Sequence, residues 1–357
     1  MFREEGTRER VAAIGSGPPT CISKASSATT MPNRVAFVLV AVSVLSLGCV
    51  YVAWRSQDRP VASDPAASDQ GEPATGRVET GLLAGKIPYI RGGSGPKHAL
   101  VFFGGNALFK RLDRSSDPGR YAGQIAGLLP EGFRFTILGY EETPPADYTI
   151  DTIVRDMAPL VRDHLGKPDL VIGISFGGFV AQRFAAEHPD LVKRLVLLVS
   201  GHRFSEEGWA AMGRQFKSLE TGDFHSLVTD SVLLFRRPWY NWLVRLKFWK
   251  DRNRLASEFK DATLILRSYR SLFSEDFARN SDFARRISAP TLVIGGTADQ
   301  FFGTQIFRET AEMIPGARVV LFEHETHMVP LERSGDVAGA VAAFLNEAPH
   351  DAEAARN

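Results

Sequence analysis

Short apolar runs alternate with longer stretches of helical periodicity from about residue 81 onward, and this alternation limits the possible folds more than any other feature of the chain. The runs are rich in Val, Ile, Leu and Phe and have the length of β-strands. Strands that alternate with helices need crossover connections, which give a mostly parallel sheet with helices on both faces. We therefore predict an α/β fold. The strand-like runs are 99–103, 133–138, 170–174, 195–199, 291–294 and 318–322, and the helical stretches are 149–165, 179–188, 304–314 and 334–346.

The alternation is interrupted once, between residues 202 and 286. This segment contains no convincing strand-like run, and its pattern predicts several amphipathic helices inserted between two strands of the sheet. We interpret this insertion as a helical lid. It divides the α/β core into a first part at 81–201 and a second part at 287–346, and the last residues, 347–357, are predicted to be a disordered tail.

The first 80 residues differ in composition from the rest of the chain. Residues 1–30 mix charged residues with Gly, Ser, Thr and Pro without any period, which predicts disorder. An uncharged run of 20 residues follows at 35–54. About 20 apolar residues are needed to span a bilayer, whereas the core of a cleaved signal peptide has about 7–15, so residues 31–55 are predicted to form a membrane anchor or signal-anchor helix. Residues 56–80 are rich in Ala, Pro, Asp and Ser and are predicted to be a flexible linker.

Two alternatives to a simple anchor stay open. The sequence from Ser46 to Cys49 loosely resembles a lipoprotein cleavage box, although Ser46 stands where a branched apolar residue is usual, so Cys49 is a candidate for lipidation. Translation from Met31 would give a short basic lead before the span. Positive charges lie on both sides of the span and hardly fix its orientation. With the amino terminus inside, the domain that follows the linker is expected to lie outside the cytoplasm, attached to the membrane.

The composition excludes several classes of protein. Lys and Arg total 42 and Asp and Glu total 41, which gives a net charge of +1 and argues against nucleic acid or another polyanion as a partner. Two cysteines cannot build a disulfide scaffold or a four-cysteine zinc site. The sequence also contains no H-E-x-x-H pair and no G-x-x-x-x-G-K loop. We therefore expect no metal and no cofactor.

A serine surrounded by glycines is the strongest local signal for chemistry. Ser175 lies directly after a strand-like run and directly before a helical one, with Gly173, Gly177 and Gly178 around it. A sharp turn from strand to helix needs small residues at these places, because larger side chains would clash with the strand and the helix. The pattern therefore predicts a nucleophile elbow.

A serine hydroxyl needs a base to remove its proton, and the base needs an orienting partner. Candidates for both follow later strands: Asp299 comes after the strand-like run 291–294, and His324 and His327 come after the run 318–322. Parallel strands place such loops at one edge of the sheet. The chain order of serine, acid and histidine is typical of a serine nucleophile on an α/β sheet.

On these residues, the chain resembles the α/β-hydrolase fold family, and the resemblance runs from about residue 81 to 346. It implies that Ser175 is the nucleophile, Asp299 the acid and His327 the base. We prefer His327 to His324 because the segment from His327 to Glu332 is similar to the family's histidine segment.

The resemblance also implies an oxyanion hole. One donor is the backbone N–H of Phe176, and the second is expected from the loop after an early strand, with Gly105 as the first candidate and Asn106 as the second. This chain departs from the family in having Phe103 where a histidine is usual. It also departs after the next strand, where Glu141 and Glu142 stand in place of a glycine-rich loop, so we expect a differently shaped pocket entrance, with a solvated loop favoured over contact with a basic substrate group.

The predicted lid combines tryptophans with basic residues. It holds four of the chain's five tryptophans, and residues 236–254 contain seven Lys and Arg against one acid. Such a composition suits an anionic membrane interface, which suggests that the lid rests on a bilayer and admits an amphiphilic acyl ester. The interpretation favoured from the sequence is a lid helix whose aromatic side chains pack on the core while its basic side chains face solvent, with the membrane-resting lid as the alternative.

Taken with the resemblance, these residues imply a serine hydrolase that cleaves a carboxylic ester or related acyl compound through an acyl-enzyme on Ser175. The expected partner is a small-molecule acyl substrate, with lipid-like compounds among the candidates. Acyltransferases, thioesterases, aminopeptidases and carbon–carbon hydrolases of the family use the same triad, so they stay open as alternatives. A non-enzymatic alternative is a module that binds a ligand in the lid pocket.

Overall fold

A computed structural model describes residues 78–347 except 110, 114–117, 146, 224–225, 227–234, 259–265, 267–269 and 271–281. The predicted disordered extension, the predicted anchor, most of the predicted linker and the tail from residue 348 onward lie outside the described residues and stay predictions. Within the described ranges, no helix has both the length and the apolar character needed to cross a membrane.

Eight strands form one sheet, and six of them follow the runs predicted from the sequence. The two additional strands come first in the chain and lie at one edge. The strands are β1 (Glu79–Leu83), β2 (Ile87–Gly93), β3 (Lys97–Phe102), β4 (Phe133–Leu138), β5 (Leu170–Ile174), β6 (Leu195–Leu198), β7 (Thr291–Gly296) and β8 (Arg318–Phe322).

The strand order is β1-β2-β4-β3-β5-β6-β7-β8. β1 pairs antiparallel with β2 and β2 antiparallel with β4, whereas every pairing from β4 to β8 is parallel. The predicted mostly parallel α/β sheet is confirmed. Because β3 lies between β4 and β5, the loops that leave β3 and β4 are neighbours at the carboxyl edge of the sheet.

The helices lie in the connections between the strands. Four of them match the predicted helical stretches. α4 begins three residues before its predicted start, because the sequence pattern excluded Gly177 and Gly178, which have low helix propensity. The helices are α1 (Asn106–Phe109), α2 (Pro118–Ala126), α3 (Ile150–His164), α4 (Phe176–Glu187), α5 (Glu206–Glu220), α6 (Pro238–Glu258), α7 (Gly303–Met313), α8 (Val329–Glu332) and α9 (Ser334–Asn346), with 3₁₀ turns at Pro189–Leu191 and Asp282–Arg286.

The central strands are apolar along their whole length because they are covered on both faces. Every residue of β6 and β7 is buried. Strands buried on both faces lose the alternation of polar and apolar residues that a half-exposed strand shows. α4 packs beside this part of the sheet and buries Val180, Ala181, Phe184 and Ala185 completely. The start of α4, directly after Ser175, is therefore supported by the buried core.

The helices α5 and α6 are inserted between β6 and β7, as the sequence predicted for this segment. The start of α5 is fixed to the loop after β7: the Ser205 hydroxyl donates a 3.0 Å hydrogen bond to the Phe301 carbonyl oxygen and accepts one from the Gly208 N–H, also at 3.0 Å. A Cβ atom on Gly208 would lie 2.0 Å from that carbonyl oxygen, so only glycine allows this approach. The insertion therefore begins beside the carboxyl edge of the sheet.

Candidate active site

Ser175 stands on a strained turn between β5 and α4. Its φ of 52° lies in the left-handed region that residues with a side chain rarely adopt. Strain of this kind costs on the order of 1–3 kcal/mol and persists where the surrounding structure imposes it. The turn projects the serine side chain from the carboxyl edge of the sheet, at the place where the sequence predicted an elbow.

The three glycines around Ser175 are required by close contacts. A Cβ atom on Gly173 would lie 2.5 Å from the Cα of Gly178, and a Cβ atom on Gly177 would lie 2.1 Å from the carbonyl oxygen of Phe102. On Gly178, a Cβ atom would lie 2.1 Å from the hydroxyl oxygen of Ser200, two residues after β6. The elbow is thus wedged against β3 and the segment after β6.

A chain of two hydrogen bonds joins Ser175 to a buried carboxylate. His327 Nε2 lies 2.9 Å from Ser175 Oγ, and His327 Nδ1 lies 2.8 Å from Asp299 Oδ2. A carboxylate can only accept a hydrogen bond, so Nδ1 carries the proton and Nε2 is the acceptor that faces the serine hydroxyl. In this tautomer the imidazole can take up the proton of Ser175.

The carboxylate of Asp299 is held in place from its other side. Asp299 Oδ1 accepts hydrogen bonds from the N–H groups of Phe301, at 2.8 Å, and Phe302, at 3.2 Å, and its side chain is completely buried. The rings of both phenylalanines also contact the imidazole of His327, one edge-on and one stacked. One short loop after β7 therefore fixes both the carboxylate of Asp299 and the orientation of the His327 imidazole.

The structure separates the two candidate histidines. His324 is exposed, has a φ of 59° and uses its N–H to donate a 2.8 Å hydrogen bond to the Thr297 hydroxyl. Its turn places the chain so that His327, three residues later, reaches Ser175. The geometry therefore joins Ser175, Asp299 and His327, and His324 stays at the surface.

The candidates for the oxyanion hole lie on two adjacent loops. Gly105 follows β3, and a Cβ atom there would lie 3.7 Å from the Cβ of Phe176. Phe176 begins α4, and the first N–H groups of a helix have no partner within the helix. Asn106 begins the short helix α1. The loop after β3 thus approaches the start of α4 closely enough for both to face one reacting group.

A residue not identified from the sequence supports this loop. The hydroxyl of Tyr140, two residues after β4, donates a 2.6 Å hydrogen bond to the carbonyl oxygen of Phe103, and its ring contacts Phe176 edge-on at 5.2 Å between centroids. Tyr140 is fully buried, and burial raises the pKa of its phenol well above the ordinary value, so it stays a donor. The sequence signal that could have identified Tyr140 was an aromatic residue two positions after a core strand.

Glu325 is the second residue that the sequence did not identify. Only 3% of its side chain is exposed, and its Oε1 accepts hydrogen bonds from Arg236 at 3.0 Å and from Arg333 at 3.2 Å. Arg236 lies two residues before α6, whereas Glu325 lies two residues before His327. This ion pair joins the insertion to the loop that carries the histidine. The sequence signal that could have identified Glu325 was a carboxylate close to the candidate histidine.

An acidic side chain in the loop after β4 forms an ion pair within the protein. Glu142 forms an ion pair with Arg111, which also binds Asp113. Its partner is thus part of the protein rather than the basic substrate group that the sequence left open as one alternative. In the part of the chain that the structure describes, no group of three or more His, Cys, Asp and Glu side chains is arranged to hold a metal ion.

Comparisons with known proteins agree with this architecture. The family model for the α/β hydrolase fold matches residues 121–334. A proline iminopeptidase from Pestalotiopsis fici is 25% identical over 260 residues, which cover 64% of this chain and 88% of that protein. A 2-hydroxymuconate semialdehyde hydrolase from Pseudomonas putida is 30% identical over 222 residues, which cover 59% of this chain and 74% of that protein.

Solved structures show the same fold. The crystal structure of an enol-lactonase from Burkholderia xenovorans superimposes with a TM-score of 0.56 at 23% sequence identity, covering 75% of this chain and all of that one. The relatives carry several different activities on one fold, so the fold does not select the substrate. The family match extends over more than half of the chain and includes Ser175, His327, which is hydrogen-bonded to it, and Asp299, which is hydrogen-bonded to His327. The chain belongs to the α/β-hydrolase fold family and is an enzyme of that family.

Proposed function

We propose that the protein is a serine hydrolase that cleaves carboxylic esters through an acyl-enzyme on Ser175. The observation that carries the proposal is the position of His327, whose two ring nitrogens lie 2.9 Å from Ser175 Oγ and 2.8 Å from Asp299 Oδ2. A base within hydrogen-bonding distance of a hydroxyl, itself oriented by a third group, is the arrangement that activates a serine.

Acylation follows from this geometry. Ser175 Oγ attacks the ester carbonyl carbon while His327 Nε2 takes up the hydroxyl proton, and Asp299 stabilises the imidazolium that forms. The carbonyl oxygen becomes negatively charged and receives hydrogen bonds from the N–H groups of Phe176 and Gly105, with that of Asn106 as the second candidate. His327 then gives its proton to the departing alkoxide, which leaves as the alcohol.

Deacylation repeats these steps with water. His327 removes a proton from a water molecule, the hydroxide attacks the acyl carbon, and the acid product leaves as Ser175 recovers its proton. Removal of one oxyanion donor in such sites costs about 2.7–4 kcal/mol of transition-state stabilisation. Each donor at the contact between the Gly105 loop and Phe176 is therefore expected to contribute about 10²–10³-fold to kcat.

A second candidate rests on the relatives. One is a proline iminopeptidase and another a 2-hydroxymuconate semialdehyde hydrolase. Ser175, activated by the same histidine and carboxylate, can also attack the carbonyl carbon of an amide or a ketone, and the same N–H groups would stabilise the oxyanion. The enzyme therefore has to be tested on more than one class of acyl compound.

An active-site probe tests the nucleophile. A fluorophosphonate is expected to label the wild-type chain and to leave Ser175→Ala unlabelled, because only the activated hydroxyl reacts. Folded wild-type protein that resists the probe would contradict the proposal.

A panel of p-nitrophenyl esters of increasing acyl length, with a prolyl amide and a vinylogous ketone beside it, identifies the substrate class. Turnover of the esters supports the proposal. Turnover of the amide or the ketone alone, lost in Ser175→Ala, would transfer the same mechanism to the second candidate. Conversion of a long-chain ester in preference to a short-chain one would indicate a lipid-like substrate.

A further inference from the structure

The tryptophans of the insertion divide into two groups that face opposite environments. Trp209, on α5, contacts the ring of Phe204, whereas Trp239, Trp242 and Trp249, on α6, are 53%, 61% and 52% exposed. Five large hydrophobic side chains are exposed in the described part of the chain, and three of them are these tryptophans. The interpretation in which the aromatic side chains of the lid pack on the core does not describe α6.

The three exposed tryptophans lie on one side of α6. At 3.6 residues per turn, positions 239, 242 and 249 fall within an arc of about 80° around the helix axis. Arg245 and Lys250 are also exposed and lie at the two borders of this arc. We call these five residues the tryptophan face.

Polar contacts fix the start of α6. Asn241 is buried, and its side chain donates a 2.8 Å hydrogen bond to the Phe235 carbonyl oxygen and accepts one from the Phe235 N–H at 3.2 Å. Arg236 is bound to Glu325. The start of the helix is therefore attached to the core, and the tryptophan face points away from it.

The charge around the tryptophan face has one sign. Residues 235–250 contain five Lys and Arg and no Asp or Glu. Arg237, Arg245 and Lys250 are exposed in this segment. The exposed surface of α6 thus combines three indole rings with positive charge.

We propose that the tryptophan face docks the protein onto the surface of an anionic phospholipid bilayer. Indole rings are enriched at the boundary between headgroups and acyl chains, where one part of the ring is apolar and the N–H stays hydrated. Basic side chains beside them are attracted to anionic lipids. The centre of a protein interface is instead depleted of charged residues, and it buries its aromatic anchors in pockets. A convex helix with basic borders fits a lipid surface.

The inference goes beyond the proposed function, because it concerns where the domain is held and does not depend on the chemistry of Ser175. It is also independent of the predicted anchor at 31–55. That anchor and the predicted linker at 56–80 would keep the domain within reach of a bilayer, whereas the tryptophan face would determine which side of the domain meets it.

The test places an environment-sensitive fluorophore in the full-length chain. Cys21→Ser and Cys49→Ser remove the natural thiols, and Trp242→Cys accepts the label. The matched control carries Lys167→Cys, an exposed position before β5 at the opposite edge of the sheet. Each protein is reconstituted at one copy per nanodisc, in phosphatidylcholine alone or with phosphatidylglycerol as about one lipid in three.

The label at position 242 is expected to show a blue-shifted emission and about a twofold or larger gain in intensity in the anionic discs, as it enters the interface. The label at position 167 is expected to emit alike in both. Arg245→Glu with Lys250→Glu is expected to abolish the gain at 242, whereas Arg120→Glu on α2 is expected to leave it intact.

Three results would overturn the proposal. A label at 242 that stays as hydrated in anionic discs as the label at 167 would show that the face does not meet the lipid. An equal gain in both kinds of disc would show that anionic lipid is not recognised. A gain that appears only when two copies share a disc would assign the tryptophan face to contact between copies.

Discussion

The phenolic hydroxyl of Tyr140 and the carbonyl oxygen of Phe103 are joined by a buried hydrogen bond of 2.6 Å. The bond links the loop after β4 to the loop after β3, on which the candidate oxyanion donor Gly105 lies two residues beyond the bonded carbonyl. Tyr140 touches no reacting atom in this arrangement. In the proposed mechanism it is a positioning residue for the oxyanion donors on that loop.

Tyr140→Phe is expected to lower kcat for ester hydrolysis about tenfold with little change in KM, because the donor loop loses its support in the transition state. The buried Phe103 carbonyl loses its partner, which is expected to lower the free energy of unfolding by about 1–3 kcal/mol. Steady-state kinetics and urea unfolding measure the two effects. Tyr148→Phe is the control, since it removes a buried tyrosine hydroxyl from the same connection without breaking the bond to Phe103. Equal kinetic losses in both variants would argue against a positioning role.

The histidines of the β8 loop give a matched pair. His327→Ala is expected to reduce kcat by at least about 10⁴-fold, because His327 is the base hydrogen-bonded to the Ser175 hydroxyl. His324→Ala is expected to retain activity within about threefold, since the side chain of His324 is exposed and its backbone N–H makes the bond to Thr297. Both are measured with one p-nitrophenyl ester. Similar losses in the two variants would contradict the assignment of the base.

A methyl group at the elbow is expected to be poorly tolerated. Gly178→Ala would place a Cβ atom 2.1 Å from Ser200 Oγ and 2.3 Å from Ser200 Cβ, and such overpacking costs about 1–3 kcal/mol of unfolding free energy. Ser200→Gly in the same chain should recover part of the loss. Gly213→Ala, on α5, has open space and is expected to be neutral or stabilising by up to about 1 kcal/mol. Thermal and urea unfolding of the three variants check this. A failure of Ser200→Gly to recover any stability would place the clash elsewhere.

The ion pair between Arg236 and Glu325 can be tested without removing its atoms. Glu325→Gln keeps the shape of the side chain and removes the charge, and we expect it to lower the free energy of unfolding by about 1.5–3 kcal/mol because the buried group serves two arginines. Glu323→Gln is the control, since Glu323 is exposed two residues earlier. Protease cleavage within α6 should become faster in Glu325→Gln alone. Equal cleavage rates in the two variants would show that the pair does not fasten the insertion.

Two buried histidines predict a loss of stability in mild acid. Burial lowers the pKa of His98 and of His202 from 6.5 to about 4. Between these pH values the two imidazoles bind protons in the unfolded chain but stay mostly neutral in the folded one. The stabilising contribution is complete above about pH 6.5 and is lost as the pH falls toward about 4. His202→Gln is expected to flatten the dependence of the unfolding free energy on pH in this window, whereas His164→Gln, at an exposed position, is not. Urea unfolding at several pH values measures the slope, and an unchanged slope in His202→Gln would show that the acid sensitivity arises from other groups.

The sheet and the elbow could be predicted because their determinants are local. Strands buried on both faces are apolar throughout, as in β6 and β7, and the turn at Ser175 demands glycines at fixed places. Asp299 and the histidine loop could be placed near Ser175 because parallel strands end at one edge.

The contacts that support the site could not be predicted in the same way. The bond from Tyr140 to Phe103 forms because β3 and β4 are neighbours in the sheet. Strand order depends on contacts between distant segments, so no single segment of the sequence predicts it. Arg236 and Glu325 lie 89 residues apart and meet only after the insertion has packed. The exposure of the α6 tryptophans was likewise open, because an aromatic residue on a helix is equally compatible with a core and with a lipid surface.

The attachment of α6 through Arg236 and Glu325 has a consequence for how the enzyme would respond to its surroundings. The same short segment holds Glu325 and His327, and Arg236 also donates its backbone N–H to Glu332 in the helix that follows. A displacement of α6 would therefore be transmitted to the segment that carries the imidazole of His327. If the tryptophan face docks as proposed, turnover of a soluble ester should differ between neutral and anionic discs, and Glu325→Gln should erase that difference. Lipid contact would then regulate the rate of hydrolysis as well as localise the enzyme at the membrane.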